Sequence, residues 1–318
     1  MGSIISPSSQ AYETFEEGSE ILAAHGYDIN LLRLCVEQDE PIVGQLHNQL
    51  AIFANNYAAE LQLKDELGVK PDHVAGHSVG EYNAYTGAAV LNYSYALPLV
   101  AERASAMAQA GVNAREPGGL AVISRLDLET VEQLARKNAV QIGNYNNPEQ
   151  TTVTGTLAQL RAVGEDIEKL KEEPANSRIR FIPIKNVDVA VHSRWMGPAA
   201  RRLRQFIEPG MFFEPYGAEV LLNINGKVAL SGGQIAELAP DQLTNPVRWQ
   251  EDMEVAVGLR DYEGNLRQPG EDERVIIVEV GYGTVLTGIN RYLKSDRVRV
   301  VSYQDALKYG LDWQEQAA

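Results

Sequence analysis

Cysteine occurs once in 318 residues, at Cys35, so no internal disulfide and no cysteine-based zinc site can form. One thiol in an apolar run (Leu31, Leu32, Leu34, Val36) reads as a buried structural group rather than a reactive one, and suits a reducing cytoplasm. No stretch approaches eighteen consecutive apolar residues, which excludes a membrane-spanning helix, and no charged-then-apolar secretion signal opens the chain. Basic residues are short too: 28 Lys and Arg face 43 Asp and Glu, a formal charge of −15, which argues against nucleic acid as the main partner. Met1-Gly2-Ser3-Ile4-Ile5-Ser6 formally fits a myristoylation pattern, but so short a match carries little weight. What is present is ordinary for a globular protein, 44% hydrophobic and 22% charged, with length for one large domain plus an insertion or for two domains. There is no internal repeat and no low-complexity tract.

Apolar spacing predicts helices over 12–37 and 41–67, the second stopped by Gly68 and Pro71. A strand-like run (His73-Val74-Ala75) then leads into Gly76-His77-Ser78-Val79-Gly80, and a helical pattern follows; Leu97 to Met107 predicts a further helix ending near Gly111. Residues 118–187 change rhythm. A strand (Leu120 to Ser124), a helix (Leu128 to Lys137), two strands (Val140 to Tyr145, Thr151 to Thr154), a helix from Leu157 to about Lys171 and a strand (Arg178 to Ile184) give the order β-α-β-β-α-β of a small ferredoxin-like unit. The expected fold is therefore α/β: an α/β-hydrolase-like core with a parallel sheet, residues 1–116 and 188–318, and an inserted ferredoxin-like subdomain, 117–187. Val275 to Val280 reads as a fully buried strand, and 260–273 as a solvated loop or hairpin.

The G-x-S-x-G pentapeptide, between strand and helix, has the context of a nucleophile elbow. Its glycines permit a tight turn that lifts the Ser78 hydroxyl into a cleft and aims the Val79 amide, at a helix N-terminus, toward an oxyanion. A serine needs a base. Of the five histidines, His25 lies in a turn, His47 on an amphipathic helix, His73 in the strand below the elbow, and His77 beside Ser78 but aimed differently. His192 remains, after the run Val187 to Val191 and before a helix, at the mouth of a cleft between subdomain and core. Arg103, on a helix face of small apolar residues, is either an ion-pair partner of Glu102 or a bidentate clamp for a substrate carboxylate.

These residues carry a family likeness. Gly76-His77-Ser78-Val79-Gly80-Glu81-Tyr82 resembles the G-H-S-x-G-E-Y/F of malonyl-CoA:acyl-carrier-protein transacylases and polyketide synthase acyltransferases, with Arg103 at the family's spacing 25 residues later. Asn144 to Gln150 with Val153-Thr154-Gly155, His192 with Met196 and Pro198, Gln242 to Trp249, and Glu279 to Gly288 continue the match in order. The resemblance implies an acyl-serine transfer with Ser78 as nucleophile, His192 as base, Val79 as oxyanion donor and Arg103 on the malonyl carboxylate. It further implies that the backbone carbonyl of Gln242, counted with the substrate-binding residues, orients His192. No metal or cofactor is implied beyond coenzyme A thioester as substrate, and the partners are acyl-CoA and an acyl carrier protein, met by a cytoplasmic monomer without nucleic acid or membrane.

Three departures from the family pattern stand out. No G-Q-G occurs, and the chain opens at Ser6-Pro7-Ser8-Ser9-Gln10 rather than with a buried strand, so either residues are missing upstream or oxyanion support is halved; losing one donor costs about 100- to 1,000-fold in rate. Val191, in Val189-Ala190-Val191-His192, stands where relatives place residues that select the acyl group, and Tyr282 replaces a proline. Carrier proteins are acidic, so docking is expected on Arg194, Arg201, Arg202 and Arg204, or on Arg291, Lys294, Arg297 and Arg299. The rival expectations are an acyl hydrolase acting on carrier proteins, whose relatives usually lack the arginine, and a catalytically weak carrier-binding protein.

Overall fold

A computed structural model describes residues 10–37, 42–185, 187–270 and 273–312. The strands, in chain order, are β1 (His73–Val74), β2 (Gly118–Ser124), β3 (Gln141–Asn147), β4 (Gln150–Thr156), β5 (Arg180–Pro183), β6 (Glu219–Leu222), β7 (Lys227–Val228), β8 (Val275–Glu279) and β9 (Val298–Ser302). The helices are α1 (Gln10–Ala24), α2 (Gln45–Leu67), α3 (Glu81–Gly87), α4 (Tyr93–Val112), α5 (Leu128–Lys137), α6 (Leu157–Leu170), α7 (Gly197–Phe206), α8 (Gly232–Leu238), α9 (Trp249–Ala256), α10 (Val285–Ile289) and α11 (Tyr303–Tyr309).

The helix expected over 12–37 is two pieces. α1 stops at Ala24, Gly26 takes φ 84°, and a separate turn forms at Arg33–Glu37. The helix expected over 41–67 runs over Gln45–Leu67 and ends in a left-handed Gly68, whose N–H reaches back to the Lys64 carbonyl. α4 begins four residues before the expected Leu97, at Tyr93 after an Asn92 cap; Pro98 in its second turn breaks the sequence signal without breaking the helix. Cys35 is half-buried, and burial pushes its thiol up to about 12, consistent with an unreactive group.

The expected single parallel sheet is divided in two. One sheet has the order β1-β6-β7, parallel between β1 and β6 and antiparallel between β6 and β7; the other pairs β8 with β9 in parallel. β8 is therefore not the fully buried strand its apolar run suggests. Val275 to Val278 are half-buried and only Glu279 is buried, because β9 covers one edge and nothing among the described residues pairs with the other. The 260–273 segment carries a short hairpin, with an Arg260–Leu266 bridge around the Asp261 turn; residues 271–272 lie outside the described ones.

Between α4 and residue 187 the order β-α-β-β-α-β forms one antiparallel sheet, β3-β4-β2-β5, with its own core of Ile123, Val131, Val153, Val163 and Ile167. Main-chain bonds stitch this unit to the core: Tyr145 N–H to the Val247 carbonyl (2.8 Å) and Val247 N–H to the Gly143 carbonyl (2.9 Å), with the Asn147 side chain donating to the Ile289 carbonyl (2.9 Å). α6 opens with a reciprocal cap, Thr156 accepting from the Gln159 N–H while the Gln159 side chain accepts from the Thr156 N–H. Replacing Thr156 with Ala should lower unfolding free energy by about 1 kcal/mol in urea titration, and Thr156→Ser by only a few tenths.

Candidate active site

The elbow is built as its glycine pattern requires, with one difference. A Cβ on Gly76 would lie 1.9 Å from the Gly80 carbonyl oxygen, so that position admits only glycine. A Cβ on Gly80 would meet nothing, so the second glycine is not needed for space. Ser78 itself takes φ 56°, a left-handed conformation costing about 1–3 kcal/mol in a non-glycine residue, which the surrounding bonds must hold. Its N–H donates to Asn223 Oδ1 (2.9 Å) and its carbonyl accepts from Gln242 Nε2 (2.7 Å). Val79 is the second residue of the turn Ser78–Gly80 that leads into α3, which leaves its amide among those a helix cannot satisfy internally.

His192, also left-handed at φ 55°, meets Ser78 across 114 residues: Nε2 lies 2.8 Å from Ser78 Oγ. Its Nδ1 is 3.0 Å from the Gln242 carbonyl. A carbonyl only accepts, so Nδ1 carries the proton and the Nε2 lone pair faces the serine hydroxyl. Burial, reinforced by the nearby Arg103 charge, pushes the imidazole down to about 3, so it is neutral at physiological pH.

Arg103 is not paired with Glu102. That carboxylate binds Arg202 instead, through Nε (2.5 Å) and Nη2 (3.0 Å). Arg103, only 1% exposed, turns inward: Nη2 donates to Ser78 Oγ (3.2 Å) and Gln242 Oε1 (3.0 Å), Nη1 donates to Gln49 Oε1, and the guanidinium sits 5.7 Å from the Tyr82 ring centre. Its Nε has no partner, and no ion pair among the described residues involves it. Beneath it lies Glu81, accepting from the Asn223 N–H and from Gln242 Nε2 (both 2.8 Å), with burial pushing its carboxyl up to about 7. Val191, 8% exposed, lines the same cavity as Ser78, Arg103 and His192.

The chain matches the acyl transferase domain over residues 1–259. It belongs to the acyl transferase family. The malonyl CoA-acyl carrier protein transacylase of Bacillus subtilis is 30% identical over 296 residues, covering 90% of this chain and 84% of that protein. The polyketide biosynthesis protein PksE of the same organism is 28% identical over 278 residues, but the chain spans only 32% of that protein. Among solved structures, a type II polyketide synthase acyl-carrier protein in complex with its malonyl-transacylase aligns with TM-score 0.78 at 27% identity, covering 95% of this chain and 90% of that one.

In this acyltransferase some functional neighbours escaped the sequence reading. Gln49 and Asn223 hold Arg103 and Ser78, and each leaves a faint trace: a glutamine among the apolar positions of α2, and an asparagine closing the run Val220-Leu221-Leu222. His77 is set apart from the serine as expected, its ring 2.9 Å from Asn146 Oδ1 and edge-on to Trp249. On the surface, Arg194, Arg201, Arg202 and Arg204 are all exposed, yet Arg202 is engaged by Glu102 and Arg204 by Asp241 (2.7 Å). Of these four, Arg194 and Arg201 take part in no ion pair among the described residues. No helix among the described residues is long and apolar enough to cross a membrane.

The depressed imidazole gives a pH test. In Glu81→Gln, which removes the buried carboxyl that titrates at about 7, an uncharged fluorophosphonate should label Ser78 at a rate that changes by no more than about twofold between pH 8 and pH 5, because His192 takes up its proton only near pH 3. A midpoint near 6.5 would mark an ordinary solvated histidine. Gly76→Ala should abolish that labelling, whereas Gly80→Ala should retain most of it.

Proposed function

We propose that this chain transfers a malonyl-type acyl group from coenzyme A to the phosphopantetheine thiol of an acyl carrier protein through an ester on Ser78, in fatty-acid or polyketide assembly. In this reading Ser78 Oγ passes its proton to His192 Nε2 as it attacks the thioester carbonyl. The Val79 amide stabilises the oxyanion. Collapse breaks the carbon–sulfur bond, and the departing coenzyme A sulfur takes the proton from His192. The carrier thiol then gives its proton to His192, attacks the ester carbonyl, and the proton returns to Ser78 Oγ. The Gln242 carbonyl keeps the imidazole in the tautomer this sequence needs, while the Gln242 side chain anchors Arg103 and the elbow.

The single observation that carries the malonyl preference is the buried Arg103, without a carboxylate partner and within hydrogen-bond distance of Ser78 Oγ. A buried charge without a counter-ion is costly, and a substrate carboxylate would supply one. The arginine also weighs against the hydrolase reading. The relatives named as malonyl transacylases, and the neighbour solved with its acyl-carrier protein, support the same assignment. The fold fits it as an α/β-hydrolase-like core over 1–116 and 188–318 with a ferredoxin-like subdomain over 117–187, the strand order β3-β4-β2-β5 supporting the latter. Carrier docking is assigned to Arg194 and Arg201, the members of the first arginine patch that no carboxylate holds, with the cluster Arg291, Lys294, Arg297 and Arg299 as the alternative dock.

Arg103→Ala should reduce malonyl loading of Ser78 by about 100-fold or more while changing acetyl loading by less than about tenfold. Retained fluorophosphonate labelling would show the elbow intact, and equal losses for both acyl groups would remove the clamp role. Arg201→Glu should slow transfer to the carrier protein and spare loading from malonyl-CoA; two unchanged half-reactions would move the dock elsewhere.

A further inference from the structure

The network around Arg103 contains a carboxyl that takes no part in the acyl transfer. Glu81 Oε2 accepts from Gln242 Nε2 (2.8 Å), and Gln242 Oε1 accepts from Arg103 Nη2 (3.0 Å), so a single side-chain amide joins carboxyl to guanidinium. Glu81 and Gln242 are each 2% exposed and Arg103 1%. An amide held with its oxygen on the cation and its N–H on the anion carries the attraction between them across a medium of low dielectric. Among the described residues no carboxylate touches Arg103, which makes Glu81 its remote counter-charge.

The other groups facing Glu81 leave it able to change charge. On its own helix, the Tyr85 hydroxyl donates to the carboxylate and Tyr82 is its chain neighbour; burial keeps both phenols protonated. Because a hydroxyl can turn from donor to acceptor, Tyr85 also satisfies the carboxylic acid. From α9 comes Asp252, held by Asn223 Nδ2 (2.9 Å) and kept protonated by burial and by the charge of Glu81. His77 and His192 are pushed down by burial and stay neutral. Arg103 is the cation that acts on Glu81, and its attraction works against the burial that pushes this carboxyl up to about 7. A second carboxylate on Arg103 would set two anions about one buried cation, and the inner one then favours its protonated form.

We propose that Glu81 is a specificity-determining residue that acts through Gln242: it balances Arg103 while the site is empty, and takes up a proton from solvent when a substrate carboxylate replaces it. This rests on the malonyl reading of Arg103. The malonyl carboxyl, with an ordinary value of about 3.5, stays ionised throughout the working range. Above pH 7 its binding draws in a proton, and below about pH 6 Glu81 already carries one. Preference for malonyl over an uncharged acyl group therefore grows as pH falls through 7 and then levels off.

The ratio of kcat/KM for loading Ser78 from malonyl-CoA to that from acetyl-CoA should rise about tenfold or more between pH 8.5 and pH 6. In Glu81→Gln, which fixes the neutral form, the ratio should stay within about twofold. Calorimetry of the full chain carrying Ser78→Ala, at pH 7.5 in buffers of different ionisation heat, should find about half a proton or more taken up per malonyl-CoA bound beyond the acetyl-CoA value. The two thioesters share their phosphates, so the difference reports the carboxylate. Carbon-13 NMR of glutamate-labelled Ser78→Ala gives a readout that does not depend on Glu81→Gln folding: one glutamate carboxyl should move to its protonated position with malonyl-CoA and not with acetyl-CoA. Equal uptake for both thioesters, uptake that survives Glu81→Gln, or an unmoved glutamate signal would overturn the proposal. Malonyl-CoA that binds without this extra uptake would leave the malonyl reading standing, whereas malonyl-CoA that does not bind would overturn both.

Discussion

The site is organised around a positive charge kept out of water. Arg103 is the largest fully buried side chain among the described residues, and most polar groups near Ser78 make sense as answers to it. Gln49, Gln242 and the face of Tyr82 stabilise the guanidinium without neutralising it, so its charge remains available in the crevice. The same charge, added to desolvation, keeps the His192 imidazole unprotonated and therefore able to accept a proton from serine. In the proposed transfer one buried cation would serve both recognition and basicity, and an arriving carboxylate would alter the two together.

Gln242 is where these roles meet. Its main chain fixes the histidine tautomer, while its side chain joins Arg103, the Ser78 carbonyl and Glu81. Asn223 works in parallel, binding the Ser78 N–H and passing on to the buried Asp252 carboxyl. Such networks are rigid when satisfied and expensive when broken, which suits a serine held in a left-handed turn. The inserted unit adds support from outside, because Asn146 of β3 holds the ring of His77, the serine's chain neighbour.

Much of this was legible in the sequence because it is local. The elbow, the α5 boundaries and the order of the inserted unit follow from glycine placement, periodicity and caps that operate within a few residues. His192 emerged by elimination and Arg103 as a polar residue on an apolar face, but the exchange of partners, Glu102 to Arg202 rather than to Arg103, depends on tertiary placement that spacing does not encode. The break near Gly26 and the early start of α4 were hidden by patterns that ran on, or faltered at Pro98, while the backbone did the opposite. The half-exposed state of β8 was illegible for a different reason: an apolar run reports what a strand needs to bury, not whether a neighbour covers it.

The central claim is that the hydroxyl of Ser78, activated by His192, takes the acyl group covalently. Intact-mass spectrometry with peptide mapping, after brief incubation with malonyl-CoA and acid quenching, tests it most directly. The account predicts a single malonyl ester on the peptide containing Ser78, absent in Ser78→Ala and strongly reduced in His192→Ala. Malonyl-CoA bound without any adduct, or an adduct on another residue, would contradict it.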